Sequence, residues 1–160
     1  MEASATLGTL LRTLLDHLDG AVEEAYRNQG LDYRPRYTPV MKVLRHEPAT
    51  IRELATRAGL SHSAMSQTIA QMTRHGLVTA KPGQDARERI ITLTPKAAAM
   101  LTALERQWRV TEAAARSLDT DLGMPLADVL RQAIDALDRR SFGDRIAQAA
   151  TSLSDSQESR

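Results

Sequence analysis

In residues 61–74, SHSAMSQTIAQMTR, short polar side chains alternate with apolar ones at helical spacing. Met65, Ile69 and Met72 fall on one side of such a helix. Ser61, His62, Ser63, Ser66, Gln67 and Ala70 fall on the other, near its N-terminus. Those are side chains that read base edges: a glutamine pairs bidentately with adenine, and a serine reaches a base or a phosphate. Arg74, Lys81 and Arg89 follow, and their charges suit backbone phosphates, which position a protein on a duplex without reading its sequence. Arg87 stands beside a turn, where a guanidinium is drawn to the deep negative potential of a narrow minor groove.

Other chemistries find no footing. The chain has no cysteine, which removes disulfides, thiolate catalysis, thiolate metal sites and thiol redox sensing. Its four histidines, His17, His46, His62 and His75, show no recognisable metal spacing. There is no glycine-rich phosphate loop and no nucleophile elbow, so no enzyme activity and no cofactor are expected. With 42% hydrophobic and 26% charged residues, the 160-residue chain reads as soluble and globular. It lacks a run of the roughly 18–20 apolar residues a membrane span needs. The acidic N-terminus has no basic start and no cleavage signal, which fits a cytoplasmic protein.

The elements that would hold these residues follow from periodicity and caps. Leu7, Leu10, Leu11, Leu14, Leu15, Leu18, Val22 and Tyr26 predict one amphipathic helix over about 5–28, ended by Asn28, Gln29 and Gly30. After a connection containing Pro35, Thr38 and Pro39 read as N-cap and first residue of a short helix. Thr50 and Glu53 have capping-box spacing, and Ile51, Leu54, Ala55 and Ala58 form the inner face of the helix they open. Gly59 marks a sharp turn, with Leu60 expected to pack underneath. Ser61 then caps the polar-faced helix, and Gly76 ends it.

Leu77–Lys81 and Arg89–Thr94 read as strands around the turn signal Pro82-Gly83-Gln84-Asp85. Helical spacing returns from Pro95 to about Leu118, breaks at DTDLGMP, and resumes over Leu126–Leu137. A short helix is expected after Phe142, then a flexible polar tail over 151–160.

This order is a winged helix-turn-helix between long helices: mainly α, with a small β-hairpin wing. Residues 50–94 resemble the DNA-binding lobe of the MarR family, most specifically in Asp85-x-Arg87 leading to Ile91-x-Leu93-Thr94. The resemblance implies that Asp85 holds the hairpin and orients Arg87. It also implies a homodimer built from the end helices, bound to a pseudo-palindromic operator on double-stranded DNA. The expected segments are a dimerisation helix over 1–30, the DNA-binding lobe over 31–95, and C-terminal dimerisation helices over 96–150.

Charge agrees with that division. Residues 31–94 hold ten basic and five acidic residues, net +5, whereas residues 1–30 carry −3 and residues 95–160 carry −1. Arg34, Arg36, Lys42, Arg45, Arg52 and Arg57 supply the diffuse part of this excess, each read individually as a solvated charge. Many members of the family respond to small aromatic or anionic effectors. The corresponding expectation here is a pocket of Tyr26, Tyr33, Arg36, Tyr37 and Trp108, weighed against a plain aromatic core. Two alternatives to the ligand-responsive repressor stand: a winged helix that binds protein, and a metal-responsive regulator.

Overall fold

Thr6 opens the first helix because its hydroxyl accepts from the Thr9 amide at 3.2 Å, and α1 then runs Leu7–Asn28. The computed structural model describes residues 5–83 and 88–158, the last four of these as backbone only. A 3₁₀ turn at Pro35–Tyr37 leads into α2 (Thr38–Leu44). The position before α2 belongs to Tyr37, with no side-chain cap, so Thr38 is the first helical residue and not the N-cap. Its hydroxyl instead accepts a hydrogen bond from the Tyr33 hydroxyl at 3.2 Å.

Strand β1 (Ala49–Thr50) precedes α3 (Ile51–Ala58), and the expected capping box is complete. The Glu53 amide donates to Thr50 Oγ1 at 3.2 Å, and the Thr50 amide donates back to Glu53 Oε2 at 2.8 Å. Gly59 takes the left-handed conformation, φ +64°, so the chain turns directly into α4 (His62–Arg74). Leu60 is exposed at this corner. Its backbone amide donates to the Ala55 carbonyl at 3.0 Å.

The hairpin of β2 (Val78–Pro82) and β3 (Arg89–Leu93) pairs Val78 with Leu93 and Pro82 with Arg89. β1 adds to its other edge, Ala49 opposite Ile91, giving an antiparallel sheet ordered β1-β3-β2. Periodicity offers no signal for a two-residue strand, so β1 was not expected. Around this sheet Tyr37, Met41, Leu54, Met65, Met72, Leu77, Ile91 and Leu104 are fully buried and form the core.

The long helix α5 (Pro95–Leu122) extends beyond the expected stop; the break falls at Gly123, φ +69°. Asp119 manages that corner, its carboxylate accepting from the Leu126 amide at 2.9 Å. α6 (Leu126–Arg139) and α7 (Phe142–Glu158) follow, and α7 is much longer than the short helix expected there. Ser141 caps it through the Asp144 amide at 3.1 Å.

The chain divides into two compact units, Met1–Thr111 and Glu112–Arg160, so α1 groups with the winged lobe. Within the first unit, the end of α1 is tied to α5 by Gln29 Nε2 donating to Gln107 Oε1 at 2.6 Å. The rest of α1 leaves Leu7, Leu10, Leu11, Leu15 and Leu18 exposed. In the second unit Val129, Leu130, Ile134, Leu137, Phe142 and Ile146 are exposed. No helix among the described residues is long and apolar enough to cross a membrane.

Candidate nucleic-acid interface

Met65, Thr68, Ile69 and Met72 bury one side of α4, so the opposite side has to face solvent. His62, Ser63, Gln67 and Ala70 are exposed there, and Ser66 is half-buried beside them. Ser61 has another task. Its Oγ accepts from the Ala64 amide at 3.1 Å, which leaves its hydroxyl proton and one lone pair for a partner. His62 Nδ1 and Ser66 Oγ lie 3.4 Å apart, close to the limit of a hydrogen bond. The outer face therefore carries hydroxyls, a carboxamide and an imidazole on a helix seated by its methionines.

The wing places its cations by register. Lys81 is opposite Ile90, and Pro82 is opposite Arg89. Cross-strand partners share a face and neighbours alternate, so Lys81 and Arg89 project from opposite faces of the ribbon. Both are exposed, as is Arg74 at the end of α4. Asp85 and Arg87, expected to orient and to enter a minor groove, lie outside the described residues.

The diffuse cations sort into distinct roles. Arg45 pairs with Glu105 at 2.9 Å, and Arg57 pairs with Glu47 at 2.7 Å. Lys42 Nζ and the Arg45 guanidinium lie 5.5 and 5.8 Å from the Trp108 ring centre, so they cover the tryptophan. Arg34, Arg36 and Arg52 have no ion pair among the described residues.

The expected aromatic pocket is occupied by its own rings. Tyr26 and Tyr33 meet edge to face at 4.8 Å, Tyr33 and Tyr37 at 5.8 Å, and Tyr37 and His75 at 5.8 Å. All three tyrosines are buried, Tyr37 completely, and burial pushes the Tyr33 hydroxyl pKa well up. Arg36 stays outside, its guanidinium 5.8 Å from the Tyr37 ring centre. Open clefts flank the cluster, one lined by Glu23, Arg27, Leu31, Asp32, Tyr33 and Arg34. Among the described residues no group of three or more histidines and carboxylates is placed to hold a metal ion.

Comparison with known proteins agrees with this fold. Residues 33–88 match the sequence profile of the MarR family. The chain is 26% identical to the M. tuberculosis transcriptional regulator MOSR, solved in complex with DNA; the match covers 91% of this chain and 98% of that one, with a TM-score of 0.64. It is 26% identical to a MarR family transcriptional regulator of Silicibacter pomeroyi over 86% of this chain and 98% of that one, TM-score 0.60. NadR, solved with 4-hydroxyphenylacetate, shares the fold at 14% identity, covering 88% and 98% of the two chains with a TM-score of 0.54. No curated protein matches the sequence. With its polar-faced helix, its basic wing and this likeness, the chain carries a MarR-type segment over residues 33–88 and has the winged helix-turn-helix fold of DNA-binding transcriptional regulators.

Proposed function

We propose that the protein is a cytoplasmic, homodimeric repressor that binds a pseudo-palindromic operator and releases it in response to a small aromatic or anionic effector. The observation that carries this reading is the outer face of α4. His62, Ser63, Ser66 and Gln67 stand there on a helix whose own large apolar side chains are all buried, Leu60 at the turn before it being exposed. A protein-docking face would expose large apolar residues at that position instead. Ser63, Ser66 and Gln67 are assigned to base edges in the major groove, with Ser61 and His62 at the helix entrance. Arg74, Lys81 and Arg89 are assigned to phosphates, and Arg87, oriented by Asp85, to the minor groove.

Dimerisation is supported by the exposed leucines of α1 and by the exposed Val129, Leu130, Ile134 and Leu137 of α6, which need a burial partner. An effector is suggested by NadR, solved with 4-hydroxyphenylacetate. Here such a ligand would meet the cleft beside Tyr33 and Arg34, because the faces of the tyrosine rings are spent on one another. No catalytic role is assigned.

Selection of bound sequences from random duplex DNA, with sedimentation of the free protein, tests the proposal. Enrichment of an inverted repeat by a dimer with steep salt dependence is the expected result. Enrichment of a single half-site, or a monomer in solution, would refute the two-fold reading; no enrichment at all would refute sequence-specific recognition.

A further inference from the structure

Three arginines from two parts of the chain line one cleft at the end of α4. Arg34 and Arg36 belong to Tyr33-Arg34-Pro35-Arg36-Tyr37, where the two tyrosines are buried and the two arginines exposed. Arg74 is the last residue of α4. Together with Tyr37, Gln71 and His75 they line one open cleft.

The charged side chains that line that cleft are all cationic. No carboxylate lines it. Asp19 of α1 faces Arg36, and the arginine is the weakest of the influences on its carboxyl. Gln71 Oε1 is sealed without a hydrogen-bond partner, so the polar atom it has left for the cleft is the Nε2 donor. The Tyr37 hydroxyl is engaged with His75 Nδ1 at 3.2 Å. The negative end of the α4 dipole opposes an anion here, but it amounts to roughly half a charge against three guanidiniums.

The cleft's walls and position identify the occupant. A small-molecule site is mostly apolar, with a few polar groups to orient the ligand. This cleft has no aliphatic wall. Arg74 follows Gln67 by seven residues and Ser63 by eleven, so the three share one stripe of α4. At a rise of about 1.5 Å per residue, Arg74 lies about 16 Å along the axis from Ser63, more than the roughly 12 Å width of the major groove. A helix laid across the groove with Ser63 at the base edges would bring its end to the sugar-phosphate backbone that bounds the groove.

We propose that Arg34, Arg36 and Arg74 form a clamp on the phosphodiester backbone at the edge of the major groove. This inference rests on duplex DNA as the partner. The segments that carry these arginines are tied down: Tyr33 donates to Thr38 Oγ1, the Tyr37 amide to the Arg34 carbonyl at 3.0 Å, and Lys96 Nζ to the His75 carbonyl at 2.9 Å.

The test is salt titration of duplex binding by the wild type, by Arg34→Gln/Arg36→Gln and by Arg34→Lys/Arg36→Lys. Each neutralised phosphate contributes about 0.9 to the slope of log K against log salt, so the glutamine variant should lose up to about 1.8 per lobe. Its affinity should fall equally on operator and scrambled duplex, with thermal stability unchanged, and the lysine variant should recover the slope. An unchanged slope and affinity in the glutamine variant would overturn the clamp. So would a loss confined to the operator, which would make these base contacts. Intact DNA binding with a lost response to inorganic phosphate, at matched ionic strength, would assign the cleft to a small anion. A wild type without salt-dependent binding would overturn the clamp by refuting its premise, and is distinguishable because it appears before any substitution.

Discussion

Replacing Tyr37 first by phenylalanine and then by alanine separates a packed aromatic core from a pocket kept for a ligand. The ring is completely buried, 5.8 Å from both Tyr33 and His75, and among the described residues its hydroxyl makes a single hydrogen bond, with His75 Nδ1. Tyr37→Phe keeps the packing and removes that bond, which contributes about 0.5–1.5 kcal/mol. His75 is half-exposed, so water can replace the lost partner. Tyr37→Ala removes the ring itself and should cost about 3–5 kcal/mol in transfer and cavity terms. For a chain of this length about 1 kcal/mol shifts the melting temperature by about 2–4 °C, so the alanine variant should melt about 6–20 °C lower. Urea unfolding followed by fluorescence is the assay, because Trp108 is the only tryptophan and is buried in the same core. Protein concentration has to be held constant, since any association shifts the midpoint. A loss below about 1 kcal/mol in the alanine variant would refute the reasoning, because a ring contributing so little is not packed as a core residue.

Three further outcomes are expected. Gln67→Ala should relax base preference at one position per half-site, costing about 1–3 kcal/mol of discrimination; competition with single-base operator variants checks this, and a uniform loss would make Gln67 a backbone contact. Arg87→Ala should weaken operator binding sharply with the oligomeric state unchanged on sedimentation, whereas unchanged affinity would remove Arg87 from the interface. Glu53→Ala should destabilise the protein at neutral pH but less so in acid. Hydrogen bonds from the Thr50 amide and hydroxyl hold the Glu53 carboxyl below its ordinary value of 4.5. A lowered carboxyl stabilises above its unfolded pKa and loses that contribution as pH falls through its folded pKa. Denaturation at pH 7 and pH 3 checks it, and a pH-independent difference would count against the capping box.

Much of the lobe was legible because its signals are local. Thr50 and Glu53 specify the start of α3 within four residues, and Ser61 specifies the start of α4 in the same way. Gly59 and Gly76, both at positive φ, end those helices wherever the rest of the chain goes. The buried side of α4 follows from the spacing of Met65, Ile69 and Met72, and the exposed polar side follows from that. Errors arose where one residue had two plausible partners. Thr38 resembled a cap, but its hydroxyl is claimed by Tyr33; Leu60 resembled a core residue, but the turn at Gly59 directs it outward.

The order of the helices and of the hairpin, the polar face of α4 and the basic middle of the chain were thus determined by the sequence alone. Caps, turns and periodicity act over a few residues, and charge can be counted without coordinates. Only the tertiary structure decided that Ala49 and Thr50 pair with β3, that three tyrosines fill one another's space, and that Arg34 and Arg36 stand beside Arg74. These outcomes depend on which surfaces are left once the core has closed, and the burial of Tyr33 and Tyr37 is what turns the arginines between them outward.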